Sequence, residues 1–227
     1  MLPFFATAQL LNSGASIVIE PGAKLVVEGD ITNTTGTITN SGIIEVKGDF
    51  MSEEGVLTSS GDMSNIIFNG TTSDQLFTSG NATVDKVTVN KTMGDVVLGS
   101  NLTIQDELVL TDGNVRLGEN DLILSGTAIA DGSPSSYIEA TGAGQLIRSF
   151  SDDITFEYAV GGEEYSPLTV TADIIDADAT VGVNVEEMKL GEVPLEADSY
   201  LERNWTIEFA NFADNTTLDV SGVYVDP

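Results

Sequence analysis

The residues best equipped for chemistry lie in ADIIDADAT, residues 172–180, which brings together Asp173, Asp176 and Asp178. Asp176 and Asp178 are two apart, so in an extended segment they face one way, and hard carboxylate oxygens suit Ca²⁺. The segment has neither the spacing nor the central glycine of an EF-hand loop. Acidity that simply keeps the chain soluble accounts for the same residues. Calcium is thus the one cofactor the sequence puts forward.

A second carboxylate pair, Asp152-Asp153 in SFSDDITF, consists of chain neighbours. Neighbours on a strand point to opposite faces, so this pair reads as a solvated turn. Enzymes that cut polysaccharides need paired carboxylates, or Ca²⁺ with a basic residue, set in a groove. The turns of this chain are too short to build one. There is no histidine and no cysteine, which removes the commonest general base, the commonest transition-metal ligand and all thiolate chemistry. The expectation is a protein that is not an enzyme, with no catalytic residues.

Trp205 is the single tryptophan, in YLERNWTIEF. Arg203 stands two residues before it and shares its strand face, where a cation–π contact would form. The pair is a candidate platform for stacking a sugar ring, against a plain core position for the indole. Tyr158 and Tyr165 flank the Gly-Gly of FEYAVGGEEYSPLTV and read as hairpin packing. Sequons begin at Asn33, Asn69, Asn81, Asn90, Asn101, Asn204 and Asn215. In a chain so rich in Asn and Thr they arise by chance and carry no functional reading.

The elements that must position these residues are strands. From about Ser16 to Ala140 the text runs SIVIE, KLVVEG, GTITN, GIIEVKG, NIIFNG, KVTVN, DLILSG: short alternating runs of Val, Ile, Leu and Thr, punctuated by Gly, Asn and Asp. Period-two alternation with turn residues predicts strands, and no helical stripe competes. Residues 95–113 lie over 114–132 at a spacing of 19, with Leu98-Gly99 matching Leu117-Gly118 and Asp112-Gly113 matching Asp131-Gly132. Residues 37–55 form another segment of that length. A unit of this size made of strands and tight turns is one coil of a parallel β-solenoid, whose coils bury their apolar side chains only against one another. The hand is expected to be right, as in parallel crossovers generally. In GIIEVKGD the alternation puts Ile44 and Val46 inside and Glu45 and Lys47 in solvent. Asn and Thr of TNTTGTITN read as solvated strand faces and turns, with stacked polar ladders or an outward threonine array as the alternatives.

Beyond about residue 143 the strands lengthen: QLIRSF, ITFEYAV, PLTVTADI, TVGVNVE, YLERNWTIEFA, TTLDVSGVYV. This predicts an antiparallel, immunoglobulin-like β-sandwich over 143–227, continuing into a longer native chain. The solenoid is expected over 9–142. Residues 1–8, MLPFFATA, end in a small-x-small pattern that suits the tail of a signal peptide, making Gln9 the first mature residue. A hydrophobic first strand is the alternative.

With 36 acidic and 8 basic residues the chain carries a formal charge of −28. Phosphate-rich and anionic partners are repelled by such a body, so no nucleic acid and no membrane surface is expected. No apolar run approaches the roughly 20 residues of a membrane-spanning helix. A hydrophobic fraction of 41% marks a folding chain, as opposed to an acidic tail.

The combination of VVLGSNLTI, GNVRLGENDLILSG, YIEATGAGQLIRSF, ITFEYAVGGEEYSPLTVT and YLERNWTIE, over about residues 95–210, resembles large secreted, repetitive β-rich surface proteins of Bacteroidetes, adhesin-like cargo of the type IX secretion system. The resemblance implies an extracellular or cell-surface location and a structural or adhesive role: a stalk, fibre subunit or adhesin segment. The sorting domain usual in that family is not visible here. Solenoid ends left uncapped would allow self-assembly. An extracellular polysaccharide-binding module is the second expectation. Ice binding through outward pairs such as Thr37 and Thr39 is a third; it needs such pairs in register on successive rungs, and residues 95–132 do not supply the match.

Overall fold

The structure, a computed structural model, describes residues 8–125, 129–150, 154–173, 179–187, 203–212 and 216–223. Among the described residues every regular element is a strand. Inward Ile, Val and Leu alternate with outward polar residues over three or four positions, and a turn follows before the pattern can lengthen.

Three faces build the solenoid. The first coil is β1 (Leu10–Asn12), β2 (Ser16–Ile19) and β3 (Lys24–Val27); the second is β4 (Ile31–Asn33), β5 (Thr37–Asn40) and β6 (Ile43–Val46). The third is β7 (Phe50–Met51), β8 (Val56–Ser59) and β9 (Asn65–Phe68). In the next two coils β10 (Gln75–Thr78) leads into β11 (Thr83–Asn90), and β12 (Val96–Leu98) into β13 (Leu102–Asp112). Then come β14 (Val115–Arg116), β15 (Leu122–Leu124), β16 (Ile129–Asp131), β17 (Ile138–Glu139) and β18 (Leu146–Phe150). The remaining strands are β19 (Ile154–Tyr158), β20 (Val160–Gly161), β21 (Leu168–Asp173), β22 (Ala179–Glu186), β23 (Asn204–Ala210) and β24 (Thr217–Gly222).

One face stacks eight strands, β1-β4-β7-β10-β12-β14-β17-β20, all in parallel, which makes about seven turns. The 19-residue register holds where Val96 pairs with Val115 and where Thr37 pairs with Val56. It slips within a single coil: Leu102 pairs with Leu122 and Glu107 with Ile129. Slips also occur inside a ladder: between β11 and β13 the register shifts from Val84 to Lys86 and again from Val89 to Asn90. Ile44 and Val46 are fully buried, while Glu45 and Lys47 sit on the outer side, paired with Lys24 and Glu28.

Antiparallel strands follow, and they join the same body. The sandwich was expected to begin at residue 143, yet parallel pairing runs on through β15–β18 and β17–β20. β22 and β23 then add to β18 in antiparallel fashion, and β19, β21 and β24 form a separate antiparallel sheet. One apolar cluster runs from Ile19 through Phe68 and Leu122 to Val170, Val183 and Val185. The long alternating strands look independent in sequence, but β22 and β23 extend the edge left at β18.

Polar side chains also reach the interior, as ladders. Asn12 Nδ2 donates to Asn33 Oδ1 at 3.0 Å, and Asn33 Nδ2 donates to Ser52 Oγ at 3.0 Å and to Val56 O at 3.2 Å. Buried amides are tolerated only when paired in this way. Gly36 lies against this ladder, where a Cβ would collide with the Asn12 amide and approach Ala15 O to 2.6 Å. Asn33 is therefore a core residue and not an open sequon. Lys91 is buried as well, its ammonium donating to Gly70 O at 3.0 Å, Ser73 O at 2.9 Å and Gln75 Oε1 at 3.1 Å.

Candidate functional site

A column of Asx side chains runs up one corner of the solenoid, each carboxylate or amide oxygen accepting a backbone N–H from the coil above. Asp49 N–H donates to Asp30, Asp95 N–H to Asp74, Asn114 N–H to Asp95 and Tyr137 N–H to Asn114, at 2.9–3.0 Å. The Asp95 N–H, helped by Arg116, holds the Asp74 carboxyl below the usual carboxylate range. Arg116 reaches across to Asp74, to Asp95 at 3.1 Å and to Glu139 at 4.0 Å, and so neutralises part of the column.

Where this column meets the antiparallel strands, a groove of about 640 Å³ opens, lined by Tyr137, Glu139, Thr141, Glu163, Glu186 and Glu187 among others. Glu139 projects from β17 beside Arg116, and burial pushes its carboxyl above the usual range. Tyr137 donates its hydroxyl to Gly162 O at 2.9 Å, and burial raises that phenol too. Glu187 Oε1 accepts from the Glu163 N–H at 2.9 Å and from Arg203 Nε at 2.8 Å. A Cβ on Gly162 would collide with that same carboxylate, so glycine is what lets the Glu187 side chain lie against the turn. The rim thus offers acceptors to sugar hydroxyls or cations, over a floor that includes an aromatic ring.

Arg203 and Trp205 are brought together, and both engage Ser166. Arg203 Nη1 donates to Ser166 Oγ, and Trp205 Nε1 donates to Ser166 O at 3.0 Å. Arg203 is 8% exposed and faces Glu187, a groove residue. The indole is half-buried and packs over Gly222, where a Cβ would come within 3.0 Å of the ring. A cation–π contact is made by Arg148, whose guanidinium lies 4.8 Å from the Phe156 ring centre.

Of the calcium candidates, Asp173 ends β21, exposed and opposite Thr217. Asp176 and Asp178 lie outside the described residues, as do Asp152 and Asp153. Among the described residues no group of three or more carboxylates is placed to hold a metal ion. Tyr158 is buried, donating to Val181 O at 3.0 Å, and Tyr165 donates to Glu157 at 3.0 Å and stacks near Tyr137.

The groove itself escaped sequence reasoning. Its carboxylates come from positions 139, 163, 186 and 187, and the only sequence signal was two of the three Glu-Glu dipeptides, Glu163-Glu164 and Glu186-Glu187, the third being Glu53-Glu54. Compared with known proteins, the chain matches no family model, no curated protein and no solved structure.

Proposed function

We propose that this chain is a non-catalytic, rod-like segment of a secreted cell-surface protein, serving as a stalk, fibre subunit or adhesin segment of the type IX cargo kind that its sequence resembles. The observation that carries the reading is the single apolar core running unbroken from the first coil into the antiparallel strands. Such a body resists bending, because each coil can bury its side chains only against its neighbours. The acidic surface suits a solvated extracellular rod. We read the two antiparallel groups of strands as the sandwich that follows the solenoid, and residues 1–8 as the signal remnant.

Among the described residues β1, β2 and β3 are the terminal strands of their sheets, with Leu10, Ile17 and Leu25 only partly buried. Assembly of copies would use this end. Negative-stain microscopy of the native material, beside its intact mass, tests the reading. Rods or fibres with a mass beginning at Gln9 support it; flexible or collapsed particles, or a mass retaining residues 1–8, count against it.

A second reading, an extracellular polysaccharide-binding module, is favoured by the groove at Glu139 and Glu187. Trp205 lies one residue pair from that groove through Arg203, so its fluorescence reports on occupancy. A glycan array without hits, together with unchanged Trp205 emission, would remove this reading.

A further inference from the structure

The strands β2, β5 and β8 form a sheet of their own. Its outward positions form two columns in strict register: Ser16, Thr37 and Val56, and Val18, Thr39 and Thr58. None of the six is charged or aromatic, on a chain of net charge −28. Val18 and Val56 are 55% and 54% exposed, and Thr58 Oγ1 lies 3.4 Å from Thr39 Oγ1. On the ten-stranded sheet Thr83, Thr103 and Ile123 form a separate uncharged column in register. The pairs flanking Thr37 and Thr39 are therefore 16/18 and 56/58, and not positions within 95–132. Corner insertions decide which rungs are neighbours, and the 19-residue spacing alone does not.

We infer that this face is an ice-binding surface, on which the Thr39 and Thr58 hydroxyls and the methyl groups beside them match an ordered water lattice. Parallel strands set the rungs about 4.8 Å apart and same-face residues about 6.7 Å apart along each strand. Tetrahedral water with O···O near 2.75 Å has second neighbours at about 4.5 Å, close to the rung spacing. A side chain on a β-strand is held by its neighbours, so the grid is set before contact and little ordering entropy is lost on binding. Charge selects the partner. The carboxylates lie on corners and other faces, where they would hold a disordering hydration shell, and the neutral face is left for a neutral lattice. Glycan platforms rely on aromatic faces, which these six positions lack.

The experiment measures thermal hysteresis, ice recrystallisation and the ice planes coated by fluorescently labelled protein, for the full chain and for Thr39→Tyr, Val56→Tyr and Thr32→Tyr. Thr32 lies on another face, in β4. The expected result is ice shaping by the wild type and by Thr32→Tyr, and its loss in whichever of Thr39→Tyr and Val56→Tyr retains the wild-type circular dichroism. Absence of any effect of the wild type on ice overturns the inference, as does full activity of a folded Thr39→Tyr. Retention of the wild type on crystalline polysaccharide, or a dimer in sedimentation, that Thr39→Tyr abolishes would assign the face to that partner and overturn it equally.

Discussion

Replacing Lys91 with methionine keeps the apolar stem and removes the ammonium that braces an enlarged corner of the solenoid. Phe50 pairs with Phe77 across a step of 27 residues, against 19 between Ile31 and Phe50. The added residues include the loop around Gly70–Gln75, and the Lys91 ammonium ties that loop down through Gly70 O, Ser73 O and Gln75 Oε1. Three acceptors left without a donor would cost about 1–3 kcal/mol each if nothing replaced the bond. Gln75 Oε1 keeps a second partner, the Gly70 N–H at 2.7 Å, and the methionine is spared the desolvation of a buried cation. The balance is a loss of about 2–4 kcal/mol, which for a chain of this size lowers Tm by about 5–15 °C. Urea unfolding of Lys91→Met beside Lys47→Met measures it. Lys47 pairs with Glu28 on the surface, so its replacement should cost less than about 1 kcal/mol. Hydrogen exchange should also quicken in residues 70–75 of Lys91→Met. Equal stability of Lys91→Met and wild type, or equal losses in the two variants, would refute the brace.

Asn33→Ala should destabilise by about 2–4 kcal/mol in the same assay, since it removes the partner of one Asn12 amide N–H and of the Val56 carbonyl inside the stack. Burial lifts the phenols of Tyr137, Tyr158 and Tyr165 above their ordinary value. The folded chain then holds more protons than the unfolded one above about pH 10, so this stability is complete below that pH and falls as pH rises. Tm measured from about pH 8 to 11 should drop, and Tyr158→Phe should make the drop shallower. Gly162→Ala should displace the Glu187 carboxylate from the groove wall and abolish any glycan-dependent change in Trp205 emission while leaving the far-ultraviolet spectrum unchanged.

Much of the solenoid is legible locally. Ile44 and Val46 announce their burial by alternating with Glu45 and Lys47, and the matching Leu98-Gly99 and Leu117-Gly118 mark successive coils. Arg203 and Trp205 were paired in sequence for a cation–π contact; in the structure both hydrogen-bond Ser166. The groove was not legible. Glu139 and Glu187 are 48 positions apart (187 minus 139) and meet only because β22 returns antiparallel beside β18, with Val185 N–H bonded to Ala140 O at 2.8 Å.

The alternation of residue types by itself determined that this chain forms strands and which side chains turn inward, because a period of two is a property of the backbone and needs no partner; the 19-residue repeat added that the strands stack as coils. Only the tertiary structure decided which rungs are neighbours, that Asn33 and Lys91 lie inside, and that β22 and β23 prolong the solenoid's own sheet. Those outcomes depend on corner lengths and on hydrogen bonds between residues some 20 positions apart, such as Asn12 to Asn33. An amide or ammonium reads as a surface group in any local pattern, and becomes a core group only when a neighbouring coil supplies its acceptors.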